Sequence, residues 1–519
     1  MEKTMKFLSM AALALMGAVM TGCSSDSDEL FSEPQQPENK DKVEILTTTV
    51  SFGDGVAATR ALTEGGVKTF AAGDQIAVVY ENTSGTTVKA TSVALAAGDI
   101  TNGGKSANFT VTVTNANKTA PVKYIYPASI AKDNGDVNYD ALATQDGTQA
   151  TIASSLDACE GSDSWNGGNL PGITLDNLFT LCKFTIKESA GNSDITSSVT
   201  RLTVKNGSDI YTVNTSSLSN IWVAMKPVTT GDITVYAAKG KDLYKKTVSG
   251  KALDAGNLYP INVTTTKIEG AVSGLFLVNG NLVYFSKGNL QATYNGSDWN
   301  WAFATNQYDR IGNATANTSI NGNGTVSANG TVDLFGWVGA SSSWTGAAQY
   351  GISNSTETGE TENYGNKAGV DGETLKSDWG NTIGGGWRTP TNDEWSSIFS
   401  NHTYGMANIG GVKGIIILPY NSSETIKTNH DSYGNNAKTT EQWAALEAAG
   451  AVFLPAAGYR SGATVNCATG NYPEGFYWSA TPEPDNKNNA LYMYMRYNLL
   501  SCGNNLNRCN GYSVRLIGE

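Results

Sequence analysis

V-E-I-L-T-T-T-V-S-F, residues 43–52, sets Leu46, Val50 and Phe52 at even positions against the hydroxyls of Thr47, Thr49 and Ser51 at odd ones. That is the pattern of a strand with one wet and one buried face. Alternation recurs in A-N-F-T-V-T-V (107–113), and further strand-like pieces are V-K-Y-I-Y-P (122–127), C-K-F-T-I (182–186), R-L-T-V (201–204), I-W-V-A-M (221–225), I-T-V-Y-A (233–237) and Y-P-I-N-V (259–263). Gly, Asn and Asp separate the pieces, and no long helical period interrupts them. Short strands at this spacing predict a mainly β chain built from sandwiches.

Upstream of residue 43 the chain changes character. Lys6 precedes an apolar run from Phe7 to Met20, which ends in M-T-G-C at Cys23. A run of that length is shorter than the roughly 20 residues of a membrane span and reads as a signal peptide over residues 1–22. Thr21, Gly22 and Cys23 resemble a bacterial lipobox, which implies acylation of Cys23 and a lipid anchor in place of a helix. An ordinary secretory signal is the alternative. Asp26, Asp28 and Glu29 resemble the surface-export signals of Bacteroidetes lipoproteins, so the outer face of the outer membrane is the expected location. Residues 23–42, rich in acids, proline and glutamine, read as a flexible tether.

The whole chain has 519 residues and a net charge of -12, with no Lys/Arg-rich segment, which argues against nucleic acid as a partner. Six cysteines leave five after acylation of Cys23, an odd number that rules out a complete disulfide framework. Cys159 with Cys182, and Cys502 with Cys509, are close enough in sequence to suggest pairs.

Several pieces, in order, resemble the fimbrillin family of Bacteroidales: A-A-T-R-A (57–61), F-A-A-G-D-Q-I-A-V (70–78), Y-I-Y-P (124–127), L-D-N-L-F-T-L-C-K-F (175–184) and L-D-A-G-N-L-Y-P-I-N-V (253–263). The resemblance implies two tandem transthyretin-like β-sandwiches, over residues 43–166 and 167–268. It also implies an assembly route. In related pilins an Arg-specific protease removes the first strand, and a strand from another fimbrial subunit fills the groove through backbone hydrogen bonds and alternate side chains. Arg60, with Ala61 as the new N-terminus, is the matching position here. The alternative is an uncut, exposed loop arginine.

From Val272 the composition changes: nine of the eleven tryptophans, both histidines and three cysteines follow. Thr391 and Glu394 have capping-box spacing, predicting a short helix that carries Trp395, Ile398 and Phe399, and residues 441–449 read as a second helix. The strings A-V-F-L-P-A-A-G-Y-R (451–460), F-Y-W-S-A-T (476–481) and G-Y-S-V-R-L-I (511–517) resemble the Fibrobacter succinogenes major paralogous domain. That resemblance implies an α+β, C-type-lectin-like domain over residues 272–519. Trp387, Trp395 and Trp478 sit in apolar strings and read as core. Trp299, Trp301 and Trp344 lie among Asn, Ser and Gly and are candidate stacking platforms for a glycan.

Little in the chain suggests catalysis. His402 and His430 are its only histidines, in loop-like surroundings, so no H-E-x-x-H zinc site can form and a serine-histidine triad has few options. Glu483, Asp485 and Asn486 resemble the Glu-Pro-Asn motif of C-type lectins and, like D-N-G-D-V-N-Y-D (133–140), offer oxygen ligands for Ca²⁺, but a solvated turn explains both stretches. No cofactor or bound metal is otherwise expected. Cys502 and Cys509 do not reproduce the cysteine pair of formylglycine-generating enzymes, and a loop-stapling disulfide is the expectation. Taken together, the sequence predicts a non-enzymatic fimbrial tip subunit and adhesin, lipid-anchored in precursor form, whose C-terminal module meets a host or bacterial glycan or glycoprotein. The alternative is a glycan-binding surface lipoprotein that never enters a fimbria.

Overall fold

The computed structural model describes residues 41–53, 69–312, 317, 330–337, 347, 350–356, 378–428, 430–466, 473–486 and 488–519. It is mainly β. Cys23, where acylation is expected, Arg60 and Ala61, where cleavage is expected, and Trp344 lie outside the described residues.

Nine strands come first: β1 (Val43–Phe52), β2 (Ala77–Glu81), β3 (Thr87–Thr91), β4 (Ile100–Thr101), β5 (Ser106–Thr114), β6 (Val122–Tyr126), β7 (Thr144–Gln145), β8 (Cys159–Asp163) and β9 (Ile173–Asn177). All but β7 form one sheet in the order β3-β2-β6-β8-β9-β1-β5-β4, folded over on itself as a sandwich. Alternation explains the fold. Ala107, Phe109, Val111 and Val113 of β5 face Val78, Tyr80, Val122 and Tyr124 of the opposite leaf in one core.

A second sandwich follows from β10 (Thr180–Glu188), β11 (Arg201–Asn206), β12 (Asp209–Asn214), β13 (Ile221–Met225), β14 (Val228–Lys239), β15 (Asp242–Leu253) and β16 (Leu258–Lys267). Its order is β13-β10-β16-β15-β14-β11-β12-β7. The passage between the sandwiches is interleaved, because β7 lies before residue 166 yet pairs with β12, and β9 lies after it yet pairs with β1. Ala77, Val79 and Ile125, on the far face of the first sandwich, pack into the core of the second.

Among the described residues the C-terminal module carries five small sheets and the helices Asn392–Asn401 and Thr440–Ala448. The first helix has the expected capping box. Thr391 Oγ1 accepts from Glu394 N at 3.2 Å, and Glu394 Oε2 accepts from Thr391 N at 2.8 Å. Trp395, Ile398 and Phe399 are buried beneath it, and Trp387 and Trp478 are buried as the sequence suggests. Ile210, Tyr236 and Leu243 of the second sandwich join the cluster that contains Leu282, Tyr284, Phe335 and Trp379 of the module. No helix among the described residues is long and apolar enough to cross a membrane.

Neither suggested disulfide forms. Cys159 sits opposite Tyr126 and Asn177 in the first sheet and donates its thiol to Asn177 Oδ1, whereas Cys182 faces Val223 and Tyr259 in the second. Cys502 and Cys509 are separated mostly by the extended strand Leu499–Asn507, which advances about 3.3 Å per residue, and a disulfide needs Cα atoms within about 7 Å. Cys502 packs beside the helix Asn392–Asn401, and Cys509 lies near Arg460.

Candidate functional site

The described features bearing most directly on function are the seat of β1, the junction between the second sandwich and the module, and the aromatic and acidic positions of the module. β1 pairs antiparallel with β5 from Val43↔Thr114 to Ser51↔Ser106 and parallel with β9 only from Val50↔Ile173 to Phe52↔Leu175. At that end it is an interior strand, so its removal exposes β5 along its length and β9 at Ile173–Leu175. Leu46, Thr48, Val50 and Phe52 form its inward row, with Val50 fully buried. Phe52 stacks on Phe70 with ring centroids 4.1 Å apart and meets Tyr126 edge-on at 5.5 Å. Thr48 Oγ1 donates to the Pro171 carbonyl at 2.6 Å, an oxygen shared with the Tyr124 hydroxyl at 3.0 Å.

The outward face of β1 is a hydroxyl ladder. Thr47 meets Thr110 at 3.0 Å, Thr49 donates to Asn108 Oδ1 at 2.8 Å, and Ser51 meets Ser106 at 2.8 Å. Val43 and Ile45 lie on the same face, 58% and 73% exposed. At the start of the strand, Lys118 Nζ lies 2.9 Å from Glu44 Oε1 and its hydrogen bond holds the Glu44 carboxyl below the usual range. β1 is therefore held by main-chain pairing, which carries no sequence requirement, by the apolar side chains of Leu46, Val50 and Phe52, and by side-chain bonds from Glu44, Thr47, Thr48, Thr49 and Ser51.

At the junction, Arg201 at the start of β11 reaches into the module. Its Nη1 donates to the Ala449 carbonyl at 2.9 Å and its Nη2 to the Ser273 carbonyl at 2.7 Å. Burial pushes the guanidinium down to about 10. Ser273 Oγ donates to the Ala448 carbonyl at 3.3 Å, and Lys241 pairs with Glu447. The C-terminal end of the helix Thr440–Ala448, where unpaired carbonyls concentrate negative potential, is thus closed by cations and donors from outside the helix. Sequence reading missed this contact: Arg201 is a single arginine opening a strand, and its partner is 248 residues away.

In the module, Trp299 and Trp301 share one face of the strand Trp299–Phe303, and both are half-buried. Trp301 stacks against Phe335 at 5.5 Å and meets Tyr350 edge-on at 5.6 Å, while Trp299 tilts over Tyr294 at 5.3 Å. Each ring has one face against the module and part of its surface exposed. Glu483, Asp485 and Asn486 form the turn between the strands Gly475–Pro482 and Asn489–Arg496. Asn486 Oδ1 accepts from Asn488 N at 3.0 Å, the geometry of an Asx turn, and Asp485 is exposed. Of the other oxygen-rich stretch, Asp133 pairs with Lys89 and Asp140 with Lys132, both at 3.0 Å. Among the described residues no group of three or more His, Cys, Asp or Glu is placed to hold a metal ion.

Both histidines have packing roles. His402 is buried, its Nε2 lies 3.1 Å from the Leu277 carbonyl, and its ring meets Phe276 edge-on at 5.2 Å. His430 stacks on Tyr404 at 4.8 Å. Burial raises the Cys502 thiol to about 11 and also raises that of Cys509, so neither is a ready thiolate at neutral pH.

No family model matches the sequence, and no curated protein matches it. Among solved structures, the chain is similar to a fimbrial assembly protein from Parabacteroides distasonis at 9% identity, covering 47% of this chain and 94% of that one with a TM-score of 0.25. A fimbrial protein from Bacteroides ovatus shows 11% identity over 91% of this chain and 98% of its own, with a TM-score of 0.21. A streptococcal ancillary pilin shows 9% identity over 51% and 82% of the two chains, with a TM-score of 0.16. These TM-scores are too low for the likeness to carry the reading of the site.

Proposed function

We propose that the chain is a surface pilus subunit that accepts a strand in place of β1 and presents its C-terminal module as an adhesive head. The observation that carries this reading is the seat of β1: a strand paired along its length with β5 and at its end with β9, with Leu46, Val50 and Phe52 set into the core, and with a connector at residues 54–68 that contains Arg60. Cleavage after Arg60 would free β1, and the groove it left would be lined by Phe70, Phe109 and Tyr126 and bounded by the edges of β5 and β9. An incoming strand needs aliphatic side chains at alternate positions to refill it. The lectin-like character of the module, acylation of Cys23 and the tip position belong to the same proposal. In it the module, joined to the second sandwich by a shared core and by Arg201, serves as a fixed head, with Trp299 and Trp301 as its glycan-facing rings.

The test is cleavage of the purified chain with an Arg-specific protease, followed by addition of a labelled peptide of residues 43–52. Release of β1 and saturable rebinding of that peptide, both abolished in Arg60→Ala, is the expected result. Retention of β1 after cleavage would overturn strand replacement and leave the solitary surface-lipoprotein reading.

A further inference from the structure

The second sandwich is open along one side. β15 and β16 leave a tight turn as an antiparallel pair, yet their register is limited to Tyr244↔Lys267 and Lys245↔Thr266, at the end far from the turn. Between there and the turn, β15 pairs only with β14, and β16 runs parallel to β10 from Leu181↔Leu258 to Glu188↔Thr265. The two strands have parted, each keeping one partner.

Hydrogen-bond directions show what the parting exposes. Leu181 N donates to Asn257 O and Ser189 N to Thr265 O, so odd-numbered residues of this stretch turn their main-chain groups toward β10. Main-chain groups alternate in direction along a strand, so Asn262 and Thr264 turn theirs to the open side, as does Thr247 on β15, two residues from Lys245. Pro260, which has no N–H to donate, occupies another open-side position, the placement proline tolerates at an edge.

Between these edges lies a cavity of about 350 Å³, floored by Phe184, Ile233, Val235, Leu253, Ile261 and Val263. Its rim carries Lys246 and Lys251, both exposed, and no acid among the described residues pairs with either. Lys246 sits opposite the buried Val235, at a register position that points inward, so its ammonium lies over the mouth of an apolar groove.

We infer that this split in the second sandwich is a second strand-accepting site, independent of Arg60 cleavage. Its occupant is an extended segment of another polypeptide with aliphatic side chains at alternate positions and carboxylates at its flanks. Two unpaired edges supply backbone partners, the floor takes the aliphatic side chains, and the two lysines select for acidic flanks. The net charge of -12 on the whole chain gives the lysine rim a local sign opposite to that of the rest of the molecule, so charge complementarity concentrates an acidic segment there.

The experiment uses the full chain with β1 in place and two synthetic peptides, Glu-Glu-Val-Thr-Val-Thr-Val-Glu and its counterpart with every Glu replaced by Lys. Amide hydrogen exchange reads the site. The acidic peptide should slow exchange at Thr247, Asn262 and Thr264 and bind about tenfold more tightly than the basic one. In Lys246→Glu/Lys251→Glu, whose substituted side chains are exposed, the preference should reverse. Absence of protection in the second sandwich with both peptides would overturn the inference, as would protection confined to β5 and β9, which would assign strand acceptance to the first sandwich alone. Failure of β1 release after Arg60 cleavage would contradict the proposed assembly route but would leave this result unchanged.

Discussion

Arg201 closes the end of a helix that begins 239 residues later in the chain: its guanidinium, on the first residue of β11, donates to the carbonyl of Ala449, the C-cap of Thr440–Ala448, at 2.9 Å. A buried cation with two main-chain acceptors is costly to disturb, since truncation leaves both carbonyls without a donor. Arg201→Met should cost about 2–4 kcal/mol, and Arg201→Lys, which lacks the second limb of the fork, should fall between it and the native chain. Most tryptophans lie in the module, so chemical denaturation followed by tryptophan fluorescence reads the loss. The loss should appear as an earlier transition of the module separate from that of the sandwiches.

Gly450 tests the same contact from the other side. Its φ is +92°, and a Cβ there would lie 2.6 Å from Gly274 Cα and 2.8 Å from the Arg201 guanidinium. Gly450→Ala should therefore destabilise the module by about 1–3 kcal/mol through strain and crowding, and in an Arg201→Met background the increment should shrink, because part of the crowding is already gone.

The Arg388–Glu394 pair supports the capped helix. Two parallel bonds of 2.7 and 2.6 Å join the guanidinium to the carboxylate, and Glu394 also closes the capping box. Burial raises the carboxyl pKa, but the Arg388 contact and the cap outweigh it, so the net shift is downward. Glu394→Gln should cost about 2–4 kcal/mol at neutral pH. In the native chain the contribution is present above the ordinary glutamate range and is lost as pH falls through the lowered value. The stability deficit of the variant should therefore narrow toward acid, a trend that urea titrations at stepped pH would follow.

His402 gives the module a second acid sensitivity. Burial holds its imidazole below the ordinary value of about 6.5, against the opposing pull of the Leu277 and Leu418 main chain. The unfolded chain therefore takes up a proton first, so this contribution is whole above about pH 6.5 and falls as pH drops through the lowered folded value. His430 is shifted the same way by burial. Between pH 7.5 and 5.5 the urea midpoint of the native chain should fall, and His402→Asn should show a smaller fall over that interval.

The legible parts of the molecule are those where a single local rule decides. β1 and β5 follow from alternation because one face is wet and the other buried, and the helix at Asn392–Asn401 follows from Thr391 and Glu394. What escaped reading depends on distance along the chain. Nothing in R-L-T-V announces that Arg201 will meet Ala449, and nothing in the spacing of Cys502 and Cys509 shows that an extended strand keeps them apart. The split between β15 and β16 is equally silent: sequence reading picks out Y-P-I-N-V (259–263) but not K-K-T-V-S-G-K-A-L (245–253), the strand it parts from. Of the candidate site, Trp299 and Trp301 were found by their polar surroundings, but their half-burial against Tyr294 and Phe335 required the fold.

The seat of β1 sets how firmly that strand is held. Burial of Leu46, Val50 and Phe52 contributes on the order of 5 kcal/mol in total, a quantity that an incoming strand with similar side chains can replace. Phe52→Ala removes the stacking on Phe70 and should shorten the time needed to release β1 after cleavage, with the peptide of residues 43–52 bearing the same change rebinding about tenfold or more weakly.

The most direct test of replaceable β1 is the mass of the N-terminal peptide of this chain recovered from purified surface fibres of the producing cell. A terminus at Ala61, with residues 43–52 absent, is the predicted result. Chains in those fibres that still carry residues 43–52 on an acylated Cys23 would contradict it.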